Sequence, residues 1–119
     1  MPSHAVPKAT DAALADVRAI VADLSPGLPV VAASMFGMPS VRYSAGKAFI
    51  GTTGDQLIFK LSGTALDDAL ALEGAALFDP MHGRPMRQWV VVPSEHRDRY
   101  LDLGREAALT DGPPGQASA

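Results

Sequence analysis

Val41-Arg42-Tyr43-Ser44-Ala45-Gly46-Lys47-Ala48-Phe49-Ile50-Gly51-Thr52-Thr53-Gly54-Asp55-Gln56-Leu57-Ile58-Phe59-Lys60-Leu61 reads as three short strands joined by two tight turns. Ser44 to Lys47 forms the first turn, where Gly46 is free to take positive φ. Gly54-Asp55 forms the second. Turns this short join only antiparallel neighbours, so the stretch predicts a meander. In its last strand Leu57, Phe59 and Leu61 share one face, and Ile58 and Lys60 share the other.

Upstream, Val30 to Phe36 is a strand or an extended lead-in. Before it, Thr10 suits an N-cap and Asp11 the first turn of a helix. Leu14, Val17, Val21 and Leu24 then fall on one stripe with Ile20 beside it, and Ser25-Pro26-Gly27 stops the helix. Downstream, Thr64 is positioned to cap a helix from Ala65 to about Leu72, which Gly74 ends. Ala76-Leu77-Phe78 is a brief strand, Asp79 to Pro85 a loop, and Met86 to Val92 a strong β segment. Ser94 then caps a last helix to about Leu109, with Tyr100, Leu101, Gly104, Ala107 and Ala108 turned inward. The order is α, three or four strands, α, two strands, α. It predicts an α+β two-layer sandwich: an antiparallel sheet of about five strands with helices on one face. Residues 1–9 read as a flexible arm, 10–109 as one domain and 110–119 as a Gly/Pro tail.

The chain has 119 residues, 47% hydrophobic and 19% charged, which suits one small soluble domain. No stretch approaches the roughly 20 apolar residues of a membrane helix, and no signal-peptide pattern opens the chain, so a cytoplasmic location is expected. The absence of cysteine excludes disulfides, thiolate catalysis and cysteine-ligated zinc. A net charge of −3 and a pI near 5.4 argue against a general nucleic-acid binder. Five basic and five acidic residues are spread between Arg42 and Arg87 without forming a patch. The expected partner is therefore a protein, not nucleic acid or membrane.

Catalytic chemistry finds little to stand on. No nucleophile elbow, phosphate loop or metal-ligand spacing occurs, so no cofactor and no metal are expected. His4 lies in the arm. His96 stands beside Glu95 and Asp98 at a helix start, where solvation is expected, and only His82 sits in a promising loop. In that loop Gly83 lets the chain turn, and Pro85 holds Arg84 extended. An arginine held this way either receives a carboxylate or phosphate, with Arg87 nearby, or pairs internally with Asp79 and clamps the loop. Trp89 shares a strand face with Arg87 and Val91, and its indole suits either a core edge or a recognition surface. Met35, Met38, Met81 and Met86 either line an adaptable surface or fill the core.

Taken in order, several motifs resemble the N-terminal domain of the TfoX/Sxy family. They are Met35-Phe36-Gly37, Gly46-Lys47-x-Phe49, Phe59-Lys60, Gly83-Arg84-Pro85-Met86-x-x-Trp89 and Pro93. The resemblance covers about residues 10–109 and implies a two-layer α+β domain of bacterial, cytoplasmic origin. Founding members of that family regulate competence for DNA uptake, act with a cyclic-AMP receptor transcription factor and carry a C-terminal helical domain. Here the comparison is to the stand-alone N-terminal domain. The family brings no catalytic residues with it.

The expected function is a non-enzymatic interaction module, regulatory by resemblance, whose candidate binding residues are His82, Gly83, Arg84, Arg87 and Trp89. The alternative is a small anionic-ligand binder using the Arg84 loop. An enzyme built on His82, Arg84 and Asp79 is the third class. Homodimerisation through an edge strand, Val41–Tyr43 or Met86–Val92, is a separate expectation.

Overall fold

A computed structural model of the chain describes residues 8–35 and 37–112. His4 therefore lies outside the described residues, as do Phe36, most of the arm and most of the tail. Helix α1 spans Asp11–Leu24, followed by strands β1 Val30–Met35, β2 Met38–Tyr43, β3 Ala48–Thr53 and β4 Gln56–Lys60. Helix α2 is Gly63–Leu70, and strands β5 Ala76–Phe78 and β6 Met86–Val92 come next. A 3-10 turn, Ser94–Arg99, leads into helix α3, Tyr100–Asp111. The strands form one antiparallel sheet in the order β1-β2-β3-β4-β6-β5, with the helices packed on one face. Six strands replace the expected five, because Val30–Met35 pairs with β2 along its whole length.

Local chemistry explains most helix ends. Thr10 caps α1 by accepting the Ala13 N–H on its hydroxyl at 3.1 Å. Its buried stripe is Ala13, Val17, Ile20 and Leu24, slightly rotated from the expected one, with Leu14 and Val21 at its margin. Helix α2 starts one residue before Thr64, behind Ser62, which makes no side-chain cap bond. The last helical segment divides at Arg99/Tyr100, since His96 has non-helical angles. Of its expected inward residues, Tyr100, Gly104, Ala107 and Ala108 are buried, whereas Leu101 is exposed.

The core lies between sheet and helices. Val30, Val41, Tyr43, Ile50, Leu57, Phe59, Leu61, Val90 and Val92 meet Val17, Ile20, Tyr100, Leu103 and Ala107 there. Phe49 joins them although it neighbours Ile50 on the same strand. The pairing explains this. Val41 faces Ile50 but Arg42 faces Ala48, so Phe49 is the extra residue of a β-bulge. The bulge turns Phe49 to the side of Ile50, where its ring lies 5.0 Å from that of Tyr43. Two tyrosines tie the layers together. Tyr43 Oη donates to the Ala108 carbonyl at 2.6 Å, and Tyr100 Oη to that of Val92 at 2.7 Å.

The expected edge strands are interior. β2 runs between β1 and β3, and β6 between β4 and β5. The chain leaves β4 through α2, skips one position to make β5 at the far edge, and returns as β6 into the gap. The edges of the sheet are therefore β1 and β5.

Candidate functional site: the bare face of the sheet

Alternation along each strand sorts its side chains between two faces. Residues next to Val41, Phe59, Leu61 and Val90 point away from the helices. They include Arg42 on β2, Lys60 on β4, and Arg87 and Trp89 on β6, together with Met38, Ser40 and Ile58, which are buried. Lys60 and Trp89 are direct cross-strand partners. No Asp or Glu occurs on any of the six strands. The interleaved charges of the sequence are thus separated by folding. Asp11, Asp16, Asp23, Asp67, Asp68, Glu95, Asp98, Asp102 and Glu106 all lie on the helical elements.

Three of the helical carboxylates, Asp16, Asp23 and Asp102, pair with arginines, as does Asp55 of the β3–β4 turn. Arg97 reaches Asp16 at 2.7 Å and Asp55 at 3.6 Å, and Arg105 reaches Asp23 at 2.8 Å and Asp102 at 3.3 Å. The Arg105 hydrogen bond holds the Asp23 carboxyl below its usual range. The Thr10 hydroxyl, at 2.7 Å, does the same for Asp55. Arg84 and Arg87 are exposed, and neither forms an ion pair among the described residues.

The β5–β6 hairpin shows how its loop is held. Asp79 does clamp it, though not through the Arg84 guanidinium. Its carboxylate accepts the Gly83 N–H at 2.9 Å and the Arg84 N–H at 3.1 Å. The His82 N–H reaches the Asp79 carbonyl at 3.3 Å, and His82 takes φ 56°, a strained left-handed value for a non-glycine residue. Gly83 follows at φ 156°. The internal carboxylate fills the cradle of amide donors that an anion would otherwise use. The Arg84 side chain is left projecting from a fixed turn.

Trp89 is half-buried and lies outside the core between sheet and helices, so it is no part of that core's edge. Its indole N–H has no partner among the described residues. His96 is half-buried rather than solvated, with Nε2 at 2.8 Å from the Glu73 carbonyl. Of the methionines, Met38 is buried, and Met81 and Met86 are exposed.

The structure therefore brings Arg87 and Trp89 together on one sheet face and sets His82, Gly83 and Arg84 in the hairpin loop at its end. Arg42 and Lys60 belong to the same face, and the sequence reading passed over them. Their signal was available, since each alternates with core residues on its strand. Among the described residues no group of three or more His, Asp and Glu is placed to hold a metal, and no helix is long and apolar enough to cross a membrane. No protein-family model, curated protein or solved structure matches the chain.

Proposed function

We propose that the chain is a non-enzymatic interaction module whose bare sheet face docks an acidic segment of a protein partner. One observation carries this reading: the strands present Arg42, Lys60, Arg87 and Trp89 on one face, with Lys60 directly beside Trp89, and contain no carboxylate. Arginine and tryptophan dominate the binding energy of many protein interfaces because they combine area with directed donors. A rigid sheet loses little entropy on docking. The regulatory, competence-like role implied by the TfoX/Sxy resemblance, in a bacterial cytoplasm, would use contacts of this kind.

The test is a quantitative pull-down from source-cell lysate with four folded baits: wild type, Arg87→Ala, Trp89→Ala and Arg99→Ala on the helical side. A partner held by wild type and Arg99→Ala, and lost by the other two, is the expected result. Equal capture by all four baits would remove the sheet face from the interaction.

A small anion bound by the Arg84 loop is the second reading, favoured by the exposed guanidinium on a fixed turn. Asp79 already takes the backbone donors, so such a ligand would rely on side chains alone. Saturable thermal stabilisation by one member of an anion and nucleotide panel, lost in Arg84→Ala, would select this reading over the first.

A further inference from the structure

We propose that two copies of the chain pair edge to edge along β1, giving one continuous sheet across a two-fold axis at Ala32. This does not depend on what the bare face binds. The argument starts from the contrast between the two edges. β5 is only three residues long, and a short edge offers little to a passing strand. β1 has six residues, Val30-Val31-Ala32-Ala33-Ser34-Met35, with no charge and no proline. Those are the usual devices against strand addition, and β1 has none of them.

Hydrogen-bond parity fixes which groups point outward. The Ser44 N–H donates to the Pro29 carbonyl, and the register pairs Val30 with Tyr43 through Met35 with Met38. Val31, Ala33 and Met35 therefore exchange bonds with β2, and Val30, Ala32 and Ser34 turn theirs away from the sheet. The Val30 N–H is taken by the Leu28 carbonyl at 2.9 Å. Five groups remain: the Ala32 N–H and C=O, the Ser34 N–H and C=O, and the Val30 C=O.

A second copy can meet these groups in only a few registers, because both members of each bonded pair must come from the outward set. The register with fullest overlap places Ala32 against Ala32 of the second copy, and Val30 against Ser34 of the second copy. Ala32 then exchanges both bonds with its counterpart, and each Ser34 N–H reaches a Val30 carbonyl. Four of the five outward groups are used, and the Ser34 carbonyl alone gains no strand partner. Every side chain at the junction is small or β-branched and none is charged, so the strand matches itself without repulsion. On the helical side the junction adjoins an open cleft of about 390 Å³ whose lining includes Leu14, Val17, Arg18, Ala32, Ser34 and Pro39. Pairing would join two such clefts into one trough with an Arg18 from each copy at its wall. A foreign strand would need to match this neutrality and register by chance, whereas a second copy does so by symmetry.

The consequence for the molecule is geometric. The two bare faces become one surface, with the Trp89 side chains about 40 Å apart at about 4.8 Å per strand.

Sedimentation velocity across the micromolar to sub-millimolar range tests the proposal. Wild type is expected to reach twice the 12.4 kDa of one chain. Ala32→Pro is expected to be folded and monomeric, because the lost N–H is one the monomer does not use. Ala32→Lys provides the same test without a proline, and circular dichroism verifies the fold of each variant. A wild type that stays monomeric throughout would overturn the proposal. So would a folded Ala32→Lys that dimerises as wild type does.

Discussion

The helical layer and the bare face of the sheet handle charge in opposite ways. On the helical side, carboxylates outnumber arginines, and Arg97 and Arg105 each bridge two of them. On the sheet side, Arg42, Lys60, Arg87 and Trp89 share one face with no carboxylate on any strand. Ion pairs between exposed groups contribute little stability individually, though they orient the helices that carry them. Arg84 and Arg87, which form no ion pair among the described residues, remain available to something outside the fold.

The sharpest way to break the comparison is to truncate one aromatic on each face. Phe59 is fully buried against Tyr100, with ring centroids 5.5 Å apart, so Phe59→Ala should cost about 3–5 kcal/mol in chemical denaturation. Trp89→Ala should cost about 1 kcal/mol, near the average for any substitution, while removing partner capture. Comparable losses from the two would show that the sheet face is a second core.

Next in size is the helix crossing. A Cβ added at Gly104 would lie 3.0 Å from Ile20 Cγ2. Gly104→Val should therefore destabilise by about 1–3 kcal/mol through overpacking, read as a lower denaturant midpoint.

Two titrations follow. Burial pushes the Tyr100 hydroxyl up to about 12, above its ordinary value of 10.0. The folded state thus favours the protonated phenol. That stability is complete below pH 10 and is lost as pH rises from 10 towards 12. Tyr100→Phe should flatten the alkaline limb of the melting curve over this window. Asp23 is shifted the other way by Arg105. Its contribution is present above the ordinary carboxylate value of 3.8 and is lost as pH falls through the depressed native one. The melting temperatures of wild type and Arg105→Ala should therefore converge as the solution is acidified. A constant gap would mean that Arg105 acts through packing.

The smallest expected effect on stability belongs to the hairpin. Arg84→Ala and Arg87→Ala should leave the unfolding free energy within about 0.5 kcal/mol of wild type, as surface substitutions do. A clear loss would give these arginines a structural partner.

Local pattern in the sequence was enough for the meander, the first helix with its Thr10 cap, and the strong strand Met86–Val92. These depend on spacing and turn chemistry within a few residues. The insertion of β6 between β4 and β5 depends on a return across the sheet, and no local signal encodes it. The expected edges were therefore displaced. The same holds for the site. Arg84, Arg87 and Trp89 stood out as individual residues, whereas Arg42 and Lys60 become their neighbours only through register. The expected clamp was an Arg84–Asp79 side-chain pair, whereas the Asp79 carboxylate binds the Gly83 and Arg84 backbone amides, which spacing alone does not show.

Charge separation between the two layers gives the molecule an electric dipole that its net charge of −3 conceals. Such a particle does not behave as a uniform anion. It should turn its sheet face towards any negative surface it approaches, and the field should capture acidic partners in an orientation already suited to docking. The same asymmetry should delay it on a cation-exchange column above its isoelectric point, and rising salt should erase that retention.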